Sequence, residues 1–157
     1  MCNYVLVDKQ SGKIINALST PTEGVCLEPE NDGQEVWEIT QEEFQAILEG
    51  AYRYWNYVSQ EFEPEAAYKW VLKSQEPYYA GIVTLTFTQH SWKDEATTTP
   101  VMAKVTINGD VMEVYVDDGV LEIELDCPEP AKVRVKIEAN RHETYEKEVI
   151  IYDESSV

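Results

Sequence analysis

The stretch VMAKVTINGDVMEV, residues 101–114, decides the fold of the C-terminal half. Val101, Ala103, Val105 and Ile107 alternate with polar neighbours, which is the period of a half-buried strand. Asn108-Gly109 follows, and a type I′ turn needs φ > 0 at both central positions, which Asn and Gly tolerate best. A two-residue turn there pairs Val105 with Met112 and Ala103 with Val114 on one face. It sets Lys104 opposite Glu113 on the other, so both faces agree on one register.

Outward from this hairpin the same period continues. Upstream, Val83, Leu85 and Phe87 alternate with Thr84, Thr86 and Thr88. Downstream, Asp117-Asp118-Gly119 is a turn, then Leu121, Ile123 and Leu125 point one way and Glu122 and Glu124 the other. Residues 127–130 (CPEP) break the chain. Val133, Val135, Ile137 and Ala139 then face inward, with Lys132, Arg134 and Lys136 outward, and Tyr145–Tyr152 is a final strand. Six strands at this spacing predict an immunoglobulin-like β-sandwich over residues 77–157.

The N-terminal half has a different grammar. Asn3–Asp8 and Lys13–Leu18 flank a turn ending in Ser11-Gly12 and predict a β-hairpin. Residues 19–35 form a Pro- and Gly-containing loop with a short strand at Val25–Leu27. Val36–Ile39 is a brief strand. Thr40-Gln41-Glu42-Glu43 has the form of a capping box, Phe44, Ile47 and Leu48 follow at helical spacing, and Gly50 suits the position after the helix. A helix over 41–49 results, with a strand at Ala51–Val58 after it. Residues 59–76 admit two readings: a helix starting at Pro64 with Ala66, Ala67, Trp70 and Val71 as its stripe, or an extended aromatic linker. SQEPYY, residues 74–79, marks the domain boundary. The fold expected is therefore a small α+β module over residues 1–76 (hairpin, one helix, strand), followed by the all-β domain.

Charge narrows the function. The 157 residues carry 12 basic and 30 acidic side chains, a net charge of −18. The two halves contribute equally, so the acidity belongs to the whole surface. Such a surface repels phosphate backbones and anionic lipid, which argues against nucleic-acid binding and membrane insertion. The N-terminus lacks a basic segment and an apolar core of signal-peptide length, which predicts synthesis in a cytoplasm.

No constellation for catalysis stands out, and no cofactor is expected. G-x-S-x-G, G-x-x-x-x-G-K and H-E-x-x-H are all lacking. Cys2, Cys26 and Cys127 are widely spaced and predict reduced thiols, neither a disulfide framework nor a zinc site. His90 and His142 each sit beside an expected turn and are read as solvated loop histidines with no metal role. Asp117, Asp118 and Asp126 carry the oxygen chemistry of a calcium site, but no EF-hand spacing accompanies them and turn chemistry accounts for Asp118-Gly119.

The aromatic segment is the most informative feature. Tyr52, Tyr54, Trp55, Tyr57, Phe62, Tyr68, Trp70, Tyr78 and Tyr79 fall within 28 residues. Core packing at a domain junction, a subunit interface and a sugar-stacking platform all use such residues. A module of this size does not readily bury so many rings. Trp55, Tyr57, Trp70, Tyr78 and Tyr79 are accordingly the expected partner-docking residues.

Residues Tyr4–Asp8, Ser11–Asn16 and Val36–Phe44 resemble small modules of tailed-bacteriophage tail-fibre and tail-accessory proteins. Residues Val105–Gly109 through Val133–Val135 resemble immunoglobulin-like modules common on phage virions and bacterial surface proteins. The resemblance implies a non-enzymatic virion component, in tail, baseplate, fibre or capsid decoration, made in the host cytoplasm. Its partners would be other virion proteins in a symmetric assembly, with the β-domain displayed outward. A carbohydrate-binding or adhesion module, meeting a host-surface glycan, is the alternative.

Overall fold

The structure is a computed structural model that describes residues 1–21 and 27–153. It divides into two compact units, Met1–Glu65 and Ala66–Val157. Most described residues lie in strands, with one helix among them. The strand expected at Val25–Leu27 and the thiol of Cys26 fall largely outside the described residues.

The first unit begins with β1 (Cys2–Asp8) and β2 (Ile14–Thr20), the expected hairpin. β3 (Gln34–Ile39) pairs antiparallel with the other side of β1, which makes the order β2-β1-β3. Helix α1 spans Gln41–Leu48. Its capping box forms as read: the Glu43 amide donates to the Thr40 hydroxyl at 3.1 Å, and the Thr40 amide to the Glu43 carboxylate at 2.9 Å. A cap of this kind stabilises a helix end by about 1 kcal/mol. Phe44 and Ile47 are buried and join Val5, Val7, Ile39 and Phe62 in one core. Leu48, expected on the same stripe, is exposed.

The strand expected over Ala51–Val58 is only β4 (Tyr54–Asn56). Asn56 ends it, because its Oδ1 accepts from the amides of Val58 and Ser59 and turns the chain. β5 (Glu61–Glu63) then runs back along β4.

The helix reading of residues 64–71 is overturned. β6 (Tyr68–Leu72) is a strand paired antiparallel with β8 (Gly81–Ser91) after the short β7 (Tyr78–Tyr79). A strand template outside the segment outweighs a weak helical stripe. The same pairing moves the unit boundary from 76/77 to 65/66.

β9 (Val101–Ile107) and β10 (Asp110–Val116) form the expected hairpin, with Val105 opposite Met112 and Lys104 opposite Glu113. Asn108 has φ 48° and Gly109 φ 92°, the signs a type I′ turn requires. β11 (Val120–Cys127), β12 (Ala131–Glu138) and β13 (Tyr145–Tyr152) complete the unit. Two sheets result, β10-β9-β12-β13-β7 and β11-β8-β6. β7 is parallel to β13; every other pairing in them is antiparallel.

Val83, Leu85, Phe87, Leu121, Ile123 and Leu125 from the smaller sheet share one core with Val105, Val133, Val135, Ile137, Val149 and Ile151 from the larger. The period-2 reading accounts for these residues up to Ile137; for the last strand it gives no inward face, and the structure supplies Val149 and Ile151. β10 departs from that reading: Met112 is 47% exposed despite the correct register, because β10 is an edge strand with a neighbour on one side only.

Candidate docking surface

Of the five aromatic residues expected to dock, Trp70 and Tyr78 are buried in the core of the second unit, at 4% and 7% exposure. They are core residues and present no surface. β6 and β7 carry them into the sheets, and rings of this size have the most apolar area to bury. The Tyr78 hydroxyl donates to the Ser74 carbonyl at 3.1 Å, and burial raises its pKa. Tyr79 is half-buried beside the exposed Tyr152.

His142 also departs from expectation. It is buried, with its ring stacked on Tyr68 and on Trp70 at 5.1 Å from each. His90 lies near the end of β8, where its Nε2 is 2.9 Å from the Thr88 hydroxyl. Asp118 accepts from the Val120 amide at 3.0 Å, the turn role read from sequence. Among the described residues no group of three or more His, Cys, Asp or Glu is placed to hold a metal ion. Nor is any helix there long and apolar enough to cross a membrane.

Trp55 and Tyr57 belong to a different arrangement, inside the first unit. They line an open depression of about 410 Å³ with Glu35, Trp37 and Gln60. Alternation along β3 places Glu35, Trp37 and Ile39 on one face. Ile39 is buried in the core, Trp37 packs against that core, and Glu35 lies half-buried nearer the strand's start. Trp55 meets Trp37 edge-on at 5.2 Å and Phe62 at 4.7 Å, so both indoles are held from behind. Tyr57 is 40% exposed and its hydroxyl donates to the Glu35 carboxylate at 2.8 Å.

The backbone that carries Trp55 is pinned. The Trp55 amide donates to the Gly12 carbonyl at 2.7 Å, and the Ile14 amide to the Arg53 carbonyl at 2.9 Å. These bonds tie the β4–β5 hairpin to the turn between β1 and β2. Gly12 has φ 76°, and a Cβ there would lie 2.2 Å from the Trp55 carbonyl oxygen. The close approach needs glycine.

Glu35 places a carboxylate in the depression. Tyr57 is pushed up to about 12, first by burial, then by its hydrogen bond to Glu35 and by the charges of Glu35 and Asp8. Among the described residues no lysine, arginine or histidine forms an ion pair with Glu35. The first unit carries 3 basic against 13 acidic side chains.

Sequence reading found Trp55 and Tyr57 but missed Glu35, Trp37 and Gln60. The period-2 spacing of Glu35 and Trp37 was a signal; what brings them to Tyr57 is the folding back of the β4–β5 hairpin, which no local pattern encodes.

No family model, curated protein or solved structure matches the chain.

Proposed function

We propose that the chain is a non-enzymatic docking protein that works through the depression formed by Glu35, Trp37, Trp55, Tyr57 and Gln60. The observation that carries this reading is the group of partly exposed rings, of which Trp37 and Trp55 pack on Phe62 and Trp55 is tied by its amide to the Gly12 carbonyl. Rigid aromatic anchors of this kind contribute most of the energy of protein interfaces. The resemblance of Tyr4–Asp8, Ser11–Asn16 and Val36–Phe44 to phage tail modules supports a virion as the setting. The partners are then other virion proteins.

For the second unit, the reading is an immunoglobulin-like sandwich. Strand order supports it: β8 pairs with β11 in one sheet, and β9, β12 and β13 are neighbours in the other, with β10 added outside β9. Taken in chain order, these match strands B and E, then C, F and G, then a strand beside C.

The test uses the full chain expressed with the other virion genes. Wild type is expected to sediment with assembled particles, and Tyr57→Ala to stay in the soluble fraction with an unchanged melting curve. A Tyr57→Ala chain that sediments like wild type places docking elsewhere. Carbohydrate binding is the second reading, favoured by Glu35 and Gln60 lining the same depression as Trp37, Trp55 and Tyr57. Saturable binding of a neutral glycan by the free chain would favour it.

A further inference from the structure

From the same depression we infer that the group it takes is an arginine side chain on a basic segment of the partner. This rests on the docking reading and specifies its chemistry. Three features converge on a guanidinium. Three of the five lining residues, Trp37, Trp55 and Tyr57, are aromatic, and such rings attract a cation through the ring quadrupole and match a planar group by stacking. Glu35 supplies a carboxylate at the rim, with Tyr57 donating to one oxygen, Oε2, at 2.8 Å. That bond fixes the carboxylate and leaves its second oxygen to receive an N–H from the ligand. No cationic side chain of the described residues already pairs with Glu35. A volume of about 410 Å³ admits the guanidinium together with its aliphatic stem.

The rest of the molecule selects in the same direction. A net charge of −18 attracts basic segments at long range and repels acidic ones. It also repels a second copy of the chain, so self-association through this face is disfavoured. An arginine is preferred to a lysine because the compact, strongly hydrated ammonium loses more hydration and stacks less well.

The experiment is a titration of the isotope-labelled full chain with the capped peptide acetyl-Gly-Arg-Gly-amide at low salt. The indole N–H signals of Trp37 and Trp55 report binding. Those of Trp70 and Trp92, in the other unit, serve as internal controls. Saturable shifts confined to Trp37 and Trp55 are expected, weakened at least fivefold by raising salt to 0.5 M or by Glu35→Gln. The same peptide with citrulline, the uncharged isostere of arginine, is expected to bind at least tenfold more weakly. That comparison needs no variant and so does not depend on any substitution folding. Equal binding of the citrulline peptide, no saturable shift, or saturation by methyl glucoside in place of the arginine peptide overturns the inference. Should Tyr57→Ala still abolish particle incorporation while arginine shows no preference, docking stands and only its arginine chemistry fails.

Discussion

The side-chain nitrogen of Gln89 lies 2.8 Å from Nε2 of His142, inside the second unit. Gln89 is 1% exposed and its other bonds fix its orientation. Its Oε1 accepts from the Thr97 hydroxyl at 2.7 Å and the Thr99 amide at 2.8 Å, so its nitrogen faces the histidine as donor. His142 Nδ1 in turn donates to the Asn140 carbonyl at 2.7 Å. The network therefore holds a neutral imidazole with its proton on Nδ1.

The pH dependence of stability follows from that neutrality. Burial lowers the His142 pKa below its ordinary 6.5, against the Asn140 carbonyl, which raises it, and with Arg141, which lowers it further. Below pH 6.5 the unfolded chain takes up a proton that the folded chain resists, so unfolding is favoured. The melting temperature of the second unit is expected to fall as pH drops from 7 towards 5.5. His142→Phe should flatten that slope; an equally steep fall in the variant would show that other groups cause it.

Gln89→Leu tests the other side of the pair. It leaves the buried His142 Nε2 unpaired, at a cost of about 1–3 kcal/mol, and takes the Gln89 partner from the half-buried Thr97 and Thr99 groups. Chemical denaturation of the full chain should show the second unit destabilised while the first keeps its midpoint. A loss under about 0.5 kcal/mol would mean that water replaces the amide.

The unit boundary has a consequence for fragments. A piece covering residues 66–157 should fold as an all-β unit, whereas one starting at residue 80 lacks the buried Trp70 and Tyr78. Removing two large buried rings costs on the order of several kcal/mol. Far-UV circular dichroism and thermal melts of both pieces check this: equal melting temperatures would show that β6 and β7 contribute little.

At the hairpin, Gly109→Val should destabilise the second unit by about 1–2 kcal/mol through backbone strain alone. Nothing lies within 4 Å of a Cβ at that position, so no clash adds to the cost. Gly109→Asn, which tolerates φ > 0, should recover most of it. Unfolding curves that do not separate the two variants would remove the strain argument.

Gly12→Ala adds a clash to the strain, since its Cβ would sit 2.2 Å from the Trp55 carbonyl oxygen. The expected loss is on the order of 2–3 kcal/mol in the first unit. Trp55 should move with its backbone, so tryptophan fluorescence and the binding of the arginine peptide should change together. Retained fluorescence and binding would show that the β4–β5 hairpin holds its place without the Gly12 contact.

What the amino-acid order determines here is whatever repeats over short distances. The capping box at Thr40 and Glu43, the type I′ turn at Asn108-Gly109 and the inward set from Val83 to Ile137 rest on contacts within a turn or on strict alternation. Physical chemistry at that range leaves few alternatives. Only the tertiary structure decided the state of residues 64–72, because a weak helical stripe and a strand are close in local energy and pairing with β8 settles the difference. It also decided which aromatic rings are core. Trp70 and Trp55 look alike in sequence, yet one is enclosed between two sheets and the other stands at a rim beside Glu35. Burial depends on what the rest of the chain brings to a side chain, and neither His142 nor the pairing of Tyr57 with Glu35 leaves a local mark.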